Sequence, residues 1–209
     1  MQDLATILQH VQAVISDDHF VYTSGKHGSV YVNKDKIYPH TALVSRVGQL
    51  FAEKFAVLNP SVVVGPAIGG IILAQWTAFH LSEMLGHEVL GVYTEKDEQK
   101  NQVFTRGYDQ LVKGQDVVLV EDLTTTGGSL QKVVASVKAA GGSILGTCAM
   151  VNRNPQGVTS QILGFPFDQL MILPVDAYEA DSCPLCARQI PINTTVGHGA
   201  KYLKSAKSA

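Results

Sequence analysis

The residue types best suited to chemistry stand together in the segment VVLVEDLTTTGGS, from Val117 to Ser129. Four apolar residues are followed by two acids, Glu121 and Asp122, and then by hydroxyl side chains and two glycines. Neighbouring carboxylates can accept hydrogen bonds from vicinal hydroxyl groups or hold a hydrated cation. A hydroxyl- and glycine-rich turn before a helix offers backbone N–H groups that can converge on one phosphate. The segment therefore predicts a site for a phosphorylated sugar.

The apolar run Val117–Val120 is typical of a central parallel strand that is buried on both faces. Ligands of open α/β sheets bind at the carboxyl ends of the strands, which is where the acid pair is expected. The turn is not a Walker P-loop, because no Lys follows its glycines, and the chain lacks the dinucleotide motif GxGxxG. An ordinary strand-to-helix turn with solvated acids is the alternative.

Strand and helix patterns alternate along the rest of the chain. Apolar runs predict strands at Val62–Val64, Val89–Tyr93, Val117–Val120, Ile144–Val151 and Leu170–Val175. Helical spacing predicts helices through Leu4–Ile15, Thr41–Phe55, Ile71–Trp76 and Ser129–Ala140, with another near Leu81. Phe20–Lys36 is typical of a hairpin or an irregular lid. The alternation predicts an α/β fold with a Rossmann-like, mainly parallel sheet flanked by helices.

Size and composition narrow the class of protein. A chain of 209 residues with 45% apolar and 16% charged residues suits one folded domain. The net charge of −2 provides no general attraction to nucleic acid or to an anionic membrane. No apolar run reaches bilayer length, and the N-terminus lacks the pattern of a signal peptide. We therefore expect a cytoplasmic protein with neither nucleic acid nor membrane as a partner.

The three cysteines do not form the even-numbered set that is typical of a disulfide framework. Cys183 and Cys186, in CPLC, have the spacing of half a zinc site, but a complete structural site needs four ligands. The candidate supplementary ligands are His198, Cys148 or the same pair from another subunit. A reduced turn without metal is the alternative, and a redox role is disfavoured because the motif does not open a thioredoxin-like helix.

The segment VVLVEDLTTTGGS resembles the ribose-5-phosphate-binding motif of type I phosphoribosyltransferases, which use phosphoribosyl pyrophosphate (PRPP). Matching stretches run from about His19 to Pro191, and they are most similar to the orotate phosphoribosyltransferase family, in a bacterial subgroup with a C-terminal CPLC element. The resemblance implies one domain, 1–209, with a small hood built from about 18–40 and 176–200. It also implies a homodimer and Mg²⁺ that arrives with PRPP.

The same resemblance assigns roles around the sugar phosphate. Glu121 and Asp122 bind the ribose hydroxyls. The 5′-phosphate is held by Thr124, Thr125, Thr126, Gly127, Gly128 and Ser129. The turn Pro66–Gly70 resembles the pyrophosphate loop of the family, and its predicted PRPP contacts are Ala67, Ile68 and Gly69.

The polar stretch between Tyr93 and Gln115 is long for a crossing loop, which predicts a mobile flap at about 94–109. A simple exposed hairpin is the alternative. By resemblance, Arg106 and Lys96 join Asp122 as catalytic residues, and Lys100 contacts PRPP. The best-known orotate enzymes carry an Arg-Lys pair and a later Lys-x-His in this loop. In this chain Glu95 precedes Lys96, and the loop has no His.

The segment TSGKHGSVYVN resembles the N-terminal substrate segment of the orotate family. It implies that Lys26, Thr125 and Arg153 bind orotate, since the planar fork of Arg can pair with a carboxylate. Thr23 stands where better-known members often place Lys. The expected reaction transfers phosphoribosyl from PRPP to orotate, giving orotidine 5′-monophosphate and pyrophosphate. A phosphoribosyltransferase for a purine base and a non-catalytic PRPP-binding regulator are the alternatives.

Overall fold

The computed structural model describes residues 2–206, and within them the chain divides into two compact units. The core unit comprises the described residues up to Ile7 together with Ile37–Leu173. The terminal unit comprises Leu8–Lys36 and the described residues from Pro174 onward. Met1 and residues 207–209 of the predicted single domain lie outside the described residues.

The described residues form α-helices, β-strands and short 3-10 helices. The α-helices are α1 (Leu4–His10), α2 (Thr41–Phe55), α3 (Gly69–Leu85), α4 (Tyr108–Val112), α5 (Gly128–Ala139), α6 (Ser160–Leu163), α7 (Pro184–Ala187) and α8 (Gly199–Ala206). The strands are β1 (Val14–Ile15), β2 (Phe20–Val21), β3 (His27–Gly28), β4 (Tyr31–Val32), β5 (Val62–Pro66), β6 (Leu90–Lys96), β7 (Gln102–Val103), β8 (Asp116–Thr124), β9 (Ser143–Asn152) and β10 (Phe167–Ile172). Short 3-10 helices cover Lys34–Lys36, Ala56–Leu58 and Ala180–Ser182.

Six strands of the core unit form one sheet in the order β10-β9-β8-β5-β6-β7. All neighbours are parallel except β7, which runs antiparallel to β6. The predicted mainly parallel α/β sheet is therefore confirmed. The order places β8 in the interior of the sheet, between β9 and β5.

Helices cover β8 because its side chains are apolar on both faces. Val117 and Leu119 pack in a buried cluster with Val133 and Val137 of α5. α3 also packs against β5, β6 and β8. Full burial of each aliphatic side chain stabilises the fold by roughly 1.5–3 kcal/mol. This packing buries β8 between helices, ahead of the acid pair at its carboxyl end.

Several element boundaries differ from the prediction. β8 continues to Thr124, so the acid pair lies within the last part of the strand rather than after it. The two helices predicted near Trp76 and Leu81 are one helix, α3, because no breaking residue separates their apolar patterns. The last strand, β10, ends at Ile172 instead of Val175.

The N-terminal helix is shorter than its apolar spacing predicts. α1 ends at His10, and Gln12 has a left-handed φ of 50°, which a helix cannot accommodate. Val14 and Ile15 instead form β1 and pair with β4. Tertiary strand pairing thus overrides a local helical pattern.

The terminal unit joins the two ends of the chain through backbone hydrogen bonds. β2 and β3 form an antiparallel hairpin, with Val21 opposite His27. His27 also exchanges backbone hydrogen bonds with Tyr178, at 2.8 Å in each direction. The N–H of Asn193 donates to the carbonyl oxygen of His19 at 2.7 Å. Within residues 2–206, no helix has both the length and the apolar character needed to cross a membrane.

Candidate active site

The acid pair is buried at the carboxyl end of β8. Glu121 is 5% exposed and Asp122 is 9% exposed. Oε1 of Glu121 accepts the backbone N–H of Asp122 at 3.2 Å, and Oδ1 of Asp122 accepts the N–H of Leu123 at 2.6 Å. Oε2 of Glu121 is buried without a hydrogen-bond partner among the described residues. A buried acceptor of this kind is costly unless a ligand donates to it.

Burial raises the pKa of Glu121 to about 8, and the negative charge of Asp122 adds to the increase. A hydrogen bond from Ser129 acts in the opposite direction. Desolvation and a neighbouring like charge both disfavour the ionised carboxylate. Both effects favour the neutral form of Glu121, whereas hydrogen bonds donated by a ligand would favour its charged form. Perturbed acids of this kind are concentrated at functional sites.

The predicted pyrophosphate turn lies directly beside Asp122. A Cβ atom on Gly69 would lie 2.1 Å from Oδ2 of Asp122 and 2.3 Å from the hydroxyl oxygen of Tyr38. The hydroxyl of Tyr38 in turn donates to Oδ2 of Asp122 at 3.3 Å. Tyr38 was missed by the sequence prediction, since a Tyr between an Ile and a Pro carries no signal of its own.

The turn itself connects β5 to α3. Ala67 donates its N–H to the carbonyl oxygen of Thr94 at 2.8 Å, and Ile68 is 80% exposed. The peptide bond between Ala67 and Ile68 is cis. The three predicted PRPP-contacting residues of this turn, Ala67, Ile68 and Gly69, thus stand at the same edge of the sheet as the acid pair.

The predicted phosphate loop leads into the N-terminus of α5. Gly127 precedes the helix with a left-handed φ of 73°, and its N–H donates to Oγ1 of Thr124 at 3.1 Å. A Cβ atom on Gly127 would lie 2.3 Å from Cδ2 of Leu163, so both the backbone angle and the packing require Gly. The N–H of Gly128 donates to Oγ1 of Thr126 at 3.4 Å. The loop places the first-turn N–H groups of a helix at the site, as an anion requires.

Two predicted orotate-binding residues are brought together across neighbouring strands. Nε and Nη2 of Arg153 donate to Oγ1 of Thr125 at 2.9 and 2.6 Å. The N–H of Arg153 donates to the carbonyl oxygen of Thr124 at 2.9 Å. Nδ2 of Asn154 donates to the carbonyl oxygen of Thr125 at 3.1 Å, a contact that was not predicted. Arg153 is thereby fixed beside the phosphate loop.

The third predicted orotate-binding residue, Lys26, belongs to the terminal unit. Its Nζ forms an ion pair with Oε1 of Glu179 at 2.9 Å. The Lys26 and Glu179 side chains are 44% and 65% exposed, so this pair contributes little to stability.

The predicted flap contains an antiparallel β-hairpin formed by β6 and β7. The pairing of β6 with β7 begins at Glu95, directly after Thr94. The carbonyl oxygen of Thr94 accepts the N–H of Ala67 in the predicted pyrophosphate turn. The hairpin packs on α5: Nζ of Lys132 donates to the carbonyl oxygen of Lys100 at 2.5 Å, and Ser136 donates to the carbonyl oxygen of Gln102. The structure thus contains the hairpin that was the alternative to a flap, and mobility of the segment stays a prediction.

The three predicted cations of this hairpin are exposed. Lys96 is the last residue of β6, and Lys100 follows in the turn. Nη2 of Arg106 lies 3.8 Å from Oε1 of Glu95, a long ion pair between half-exposed side chains. Thr105 donates a further hydrogen bond to Glu95. Glu95 precedes Lys96, where better-known members have an Arg-Lys pair. It contacts Arg106, one of the two predicted catalytic cations.

Cys183 and Cys186 lie in the terminal unit in a group with His19 and His27. Two of the predicted supplementary ligands, Cys148 and His198, do not belong to this group. Cys148 is wholly buried in β9 of the core unit, and Nε2 of His198 forms a 3.1 Å hydrogen bond with Oγ1 of Thr23. The His19 and His27 side chains were missed because nothing in their local sequence distinguishes a ligand from a structural His.

Comparison with known proteins shows the family of the chain. A model of the phosphoribosyl transferase domain matches residues 33–162. The chain is 35% identical over 179 residues to the orotate phosphoribosyltransferase of Caldanaerobacter subterraneus subsp. tengcongensis, covering 86% of this chain and 88% of that protein. It is 32% identical over 190 residues to the orotate phosphoribosyltransferase of Desulforamulus reducens, covering 91% and 93%.

A solved structure shows the same architecture. The crystal structure of Mycobacterium tuberculosis H37Rv orotate phosphoribosyltransferase in complex with Fe(III) dicitrate matches with a TM-score of 0.65 at 25% identity, covering 82% of this chain and 97% of that chain. The sheet order, the acid pair on β8, the family model and these relatives lead to one conclusion. The chain belongs to the phosphoribosyl transferase family, and it is similar to proteins named orotate phosphoribosyltransferase.

Proposed function

We propose that the protein transfers the 5-phosphoribosyl group of PRPP to orotate, giving orotidine 5′-monophosphate and pyrophosphate in pyrimidine biosynthesis. The observation that carries this proposal is the contact between Gly69 and Asp122. It places the pyrophosphate turn against the acid pair, while the phosphate loop begins two residues further along the chain. The residues proposed for three subsites therefore lie at the edge where α/β folds bind ligands.

The ribose would lie over Glu121 and Asp122. Its vicinal hydroxyls are hydrogen-bond donors, and Oε2 of Glu121 is a buried acceptor without a partner among the described residues. Donation by a hydroxyl would favour the ionised form of Glu121 and so offset its desolvation. The 5′-phosphate would bind the N-terminus of α5, where the loop residues Thr124–Ser129 present N–H and hydroxyl groups.

The reaction breaks the bond between C1′ of the ribose and the pyrophosphate oxygen, and it forms a bond from C1′ to a ring nitrogen of orotate. The hydrogen of that ring nitrogen leaves as a proton to solvent. The bonding electrons leave with pyrophosphate, and positive charge builds on the ribose ring. Fixed carboxylates and oriented N–H groups stabilise the separated charges without reorganisation. Holding both reactants at one edge also removes the entropic cost of bringing them together.

Mg²⁺ fits the donor chemistry of this edge. Carboxylate and hydroxyl oxygens are the hard ligands that the ion prefers, and it usually binds through phosphates and waters rather than a protein cage. Among residues 2–206, the acid pair has no third neighbouring acid, His or Cys that would complete such a cage. Bound together with PRPP, the ion would supply positive charge to the departing pyrophosphate.

Arg106, Lys96 and Lys100 are proposed to cover the pyrophosphate from the hairpin. The ion pair of Arg106 with Glu95 is long and half-exposed, so exchanging the carboxylate for a phosphate oxygen costs little. For the acceptor base, Thr125 orients the guanidinium of Arg153, whose planar donors match a carboxylate. Lys26, which is paired with Glu179, stays a predicted orotate contact.

A base-selection assay tests the proposal. The protein is incubated with PRPP and Mg²⁺ while orotate, uracil, hypoxanthine, adenine and guanine are offered separately, and pyrophosphate release is followed. Orotate alone is expected to support turnover. Turnover with a purine only would overturn the choice of base, and PRPP binding without turnover on any base would indicate a regulator. The homodimer, the cytoplasmic location and the hood stay predictions from the sequence.

A further inference from the structure

Four side chains that commonly bind metals converge in the terminal unit, outside the proposed phosphoribosyl site. They are His19, His27, Cys183 and Cys186, and their ligand atoms all lie within 4.8 Å of one another. Nε2 of His19 lies 2.8 Å from Nδ1 of His27 and 3.8 Å from Sγ of both Cys183 and Cys186. Sγ of Cys186 lies 3.4 Å from Nδ1 of His27.

Most of these separations suit the edges of a tetrahedron around one zinc ion. Zinc lies about 2.0–2.1 Å from a His nitrogen and about 2.3 Å from a thiolate, which places neighbouring ligand atoms roughly 3.3–3.8 Å apart. Three of the four measured distances lie close to this range. The fourth, between the two imidazole nitrogens, needs to open by about half an ångström to meet it.

The fold presents the two imidazoles on one side of the hairpin. Val21 pairs with His27 across β2 and β3, and His19 precedes Val21 by two residues. Side chains two residues apart in an extended chain point to the same face, so His19 falls beside His27. The two cysteines come from the C-terminal segment, at Cys183 just before α7 and at Cys186 within it.

The hydrogen bonds of His19 leave the correct nitrogen available. Its Nδ1 lies 2.7 Å from the carbonyl oxygen of Ile190, and a carbonyl can only accept. Nδ1 therefore carries the hydrogen, and the lone pair of Nε2 faces the other three ligand atoms. A backbone carbonyl that fixes the tautomer of a ligating His is a common feature of protein metal sites.

Without a metal, the side chains of this group make few hydrogen bonds. The metal-free form allows one short hydrogen bond, from Nδ1 of His27 to Nε2 of His19. Each described thiol contact with these rings is 3.4–3.8 Å long, and thiols are weak donors. His19, His27 and Cys183 are nevertheless almost fully buried. Burying polar groups with so few hydrogen bonds is unfavourable, whereas one cation would engage all four.

We propose that these four residues bind one Zn²⁺ ion in a tetrahedral Cys₂His₂ site that fastens the β2–β3 hairpin to the C-terminal segment. Thiolate and imidazole ligands select zinc over the magnesium that PRPP requires. Four protein ligands leave no open coordination position, so the role is structural. On binding, the two thiols lose their protons to solvent and form two zinc–sulfur bonds, while the neutral imidazoles donate lone pairs.

The test is metal analysis of the full-length protein, purified without chelator from cells grown with added zinc. One zinc ion per chain is expected, and release of that zinc by a strong chelator is expected to lower the Tm. Cobalt exchanged into the protein should give the visible absorption of a tetrahedral cobalt–thiolate centre. These readouts do not depend on phosphoribosyl transfer, so their failure is distinct from the failure of the proposed function.

Matched variants localise the ion. Cys183→Ala and His27→Ala are expected to lose zinc, while Cys148→Ala and His198→Ala, whose side chains lie outside the group, keep it. If the ligand variants fail to fold, the zinc content and the cobalt spectrum of the unaltered chain decide the question. A zinc-free chain whose Tm is unchanged by zinc, or full zinc content in Cys183→Ala, would overturn the site.

Discussion

Gly69 packs directly on Asp122, so closely that a Cβ atom on Gly69 would lie 2.1 Å from Oδ2 of the carboxylate. The two residues are far apart in the chain, at the start of α3 and near the end of β8. Their contact brings the turn proposed for pyrophosphate against the acid proposed for ribose. The side chain of Asp122 thus packs against the backbone of the turn, and no Cβ atom separates them.

Gly69→Ala is expected to reduce kcat/KM for PRPP by about tenfold or more, because the added methyl must displace Asp122 or the turn. Steady-state kinetics with PRPP varied measure this effect. Gly146→Ala, in the middle of β9, is the control, since its methyl would meet only apolar side-chain atoms at 3.2 Å and beyond. Equal activity of the two variants would contradict the role of the Gly69 contact.

Asp122→Asn is expected to lower kcat/KM for PRPP roughly 10- to 100-fold, because hydrogen bonds to a charged acceptor contribute about 1.5–3 kcal/mol. The matched control is Asp116→Asn, which alters an exposed acid at the opposite end of the same strand. Both variants should unfold at nearly the temperature of the unaltered protein. An unchanged rate in Asp122→Asn would remove this residue from the ribose site.

Stability is expected to depend on pH through Glu121. In the folded chain its pKa is raised to about 8, from an ordinary value of 4.5. Between these values the folded protein holds a proton that the unfolded chain has released. Rising pH therefore destabilises the fold until pH passes about 8.

Glu121→Gln removes this titration. Thermal unfolding of the ligand-free protein between pH 7 and 8 should show a falling Tm for the unaltered chain and a flatter profile for the variant. The interval lies above the ordinary range of His, which limits other contributions. Parallel profiles for the two proteins would show that Glu121 is already ionised in the fold.

Arg153→Lys is expected to raise KM for orotate about tenfold while leaving KM for PRPP nearly unchanged, because Lys cannot reproduce a planar two-point contact. Initial rates with each substrate varied in turn separate the two constants. Arg46→Lys, on α2 and paired with Glu53, is the matched control and should change neither. A rise confined to the KM for PRPP would place Arg153 at the phosphates instead.

The local sequence was sufficient to predict the central part of the candidate site. The apolar run, the acids and the hydroxyl-rich turn are contiguous from Val117 to Ser129, so chain connectivity alone places them together. The apolar pattern also predicted β8 as a buried strand, although not that it continues to Thr124. Hydrogen bonding with β9, which pairs Thr124 with Asn152, extends the strand beyond its apolar residues.

Contacts between distant segments depended on the tertiary structure. Tyr38 and Gly69 reach Asp122, and Arg153 reaches Thr125, only because strand order and helix packing bring separate segments to one edge. In the terminal unit, Cys183 and Cys186 indicated half of a metal site, while the hairpin decided that His19 and His27 complete the group. The spacing of apolar residues indicates which face of an element is buried, but not which other element covers that face. The folded structure decides that pairing.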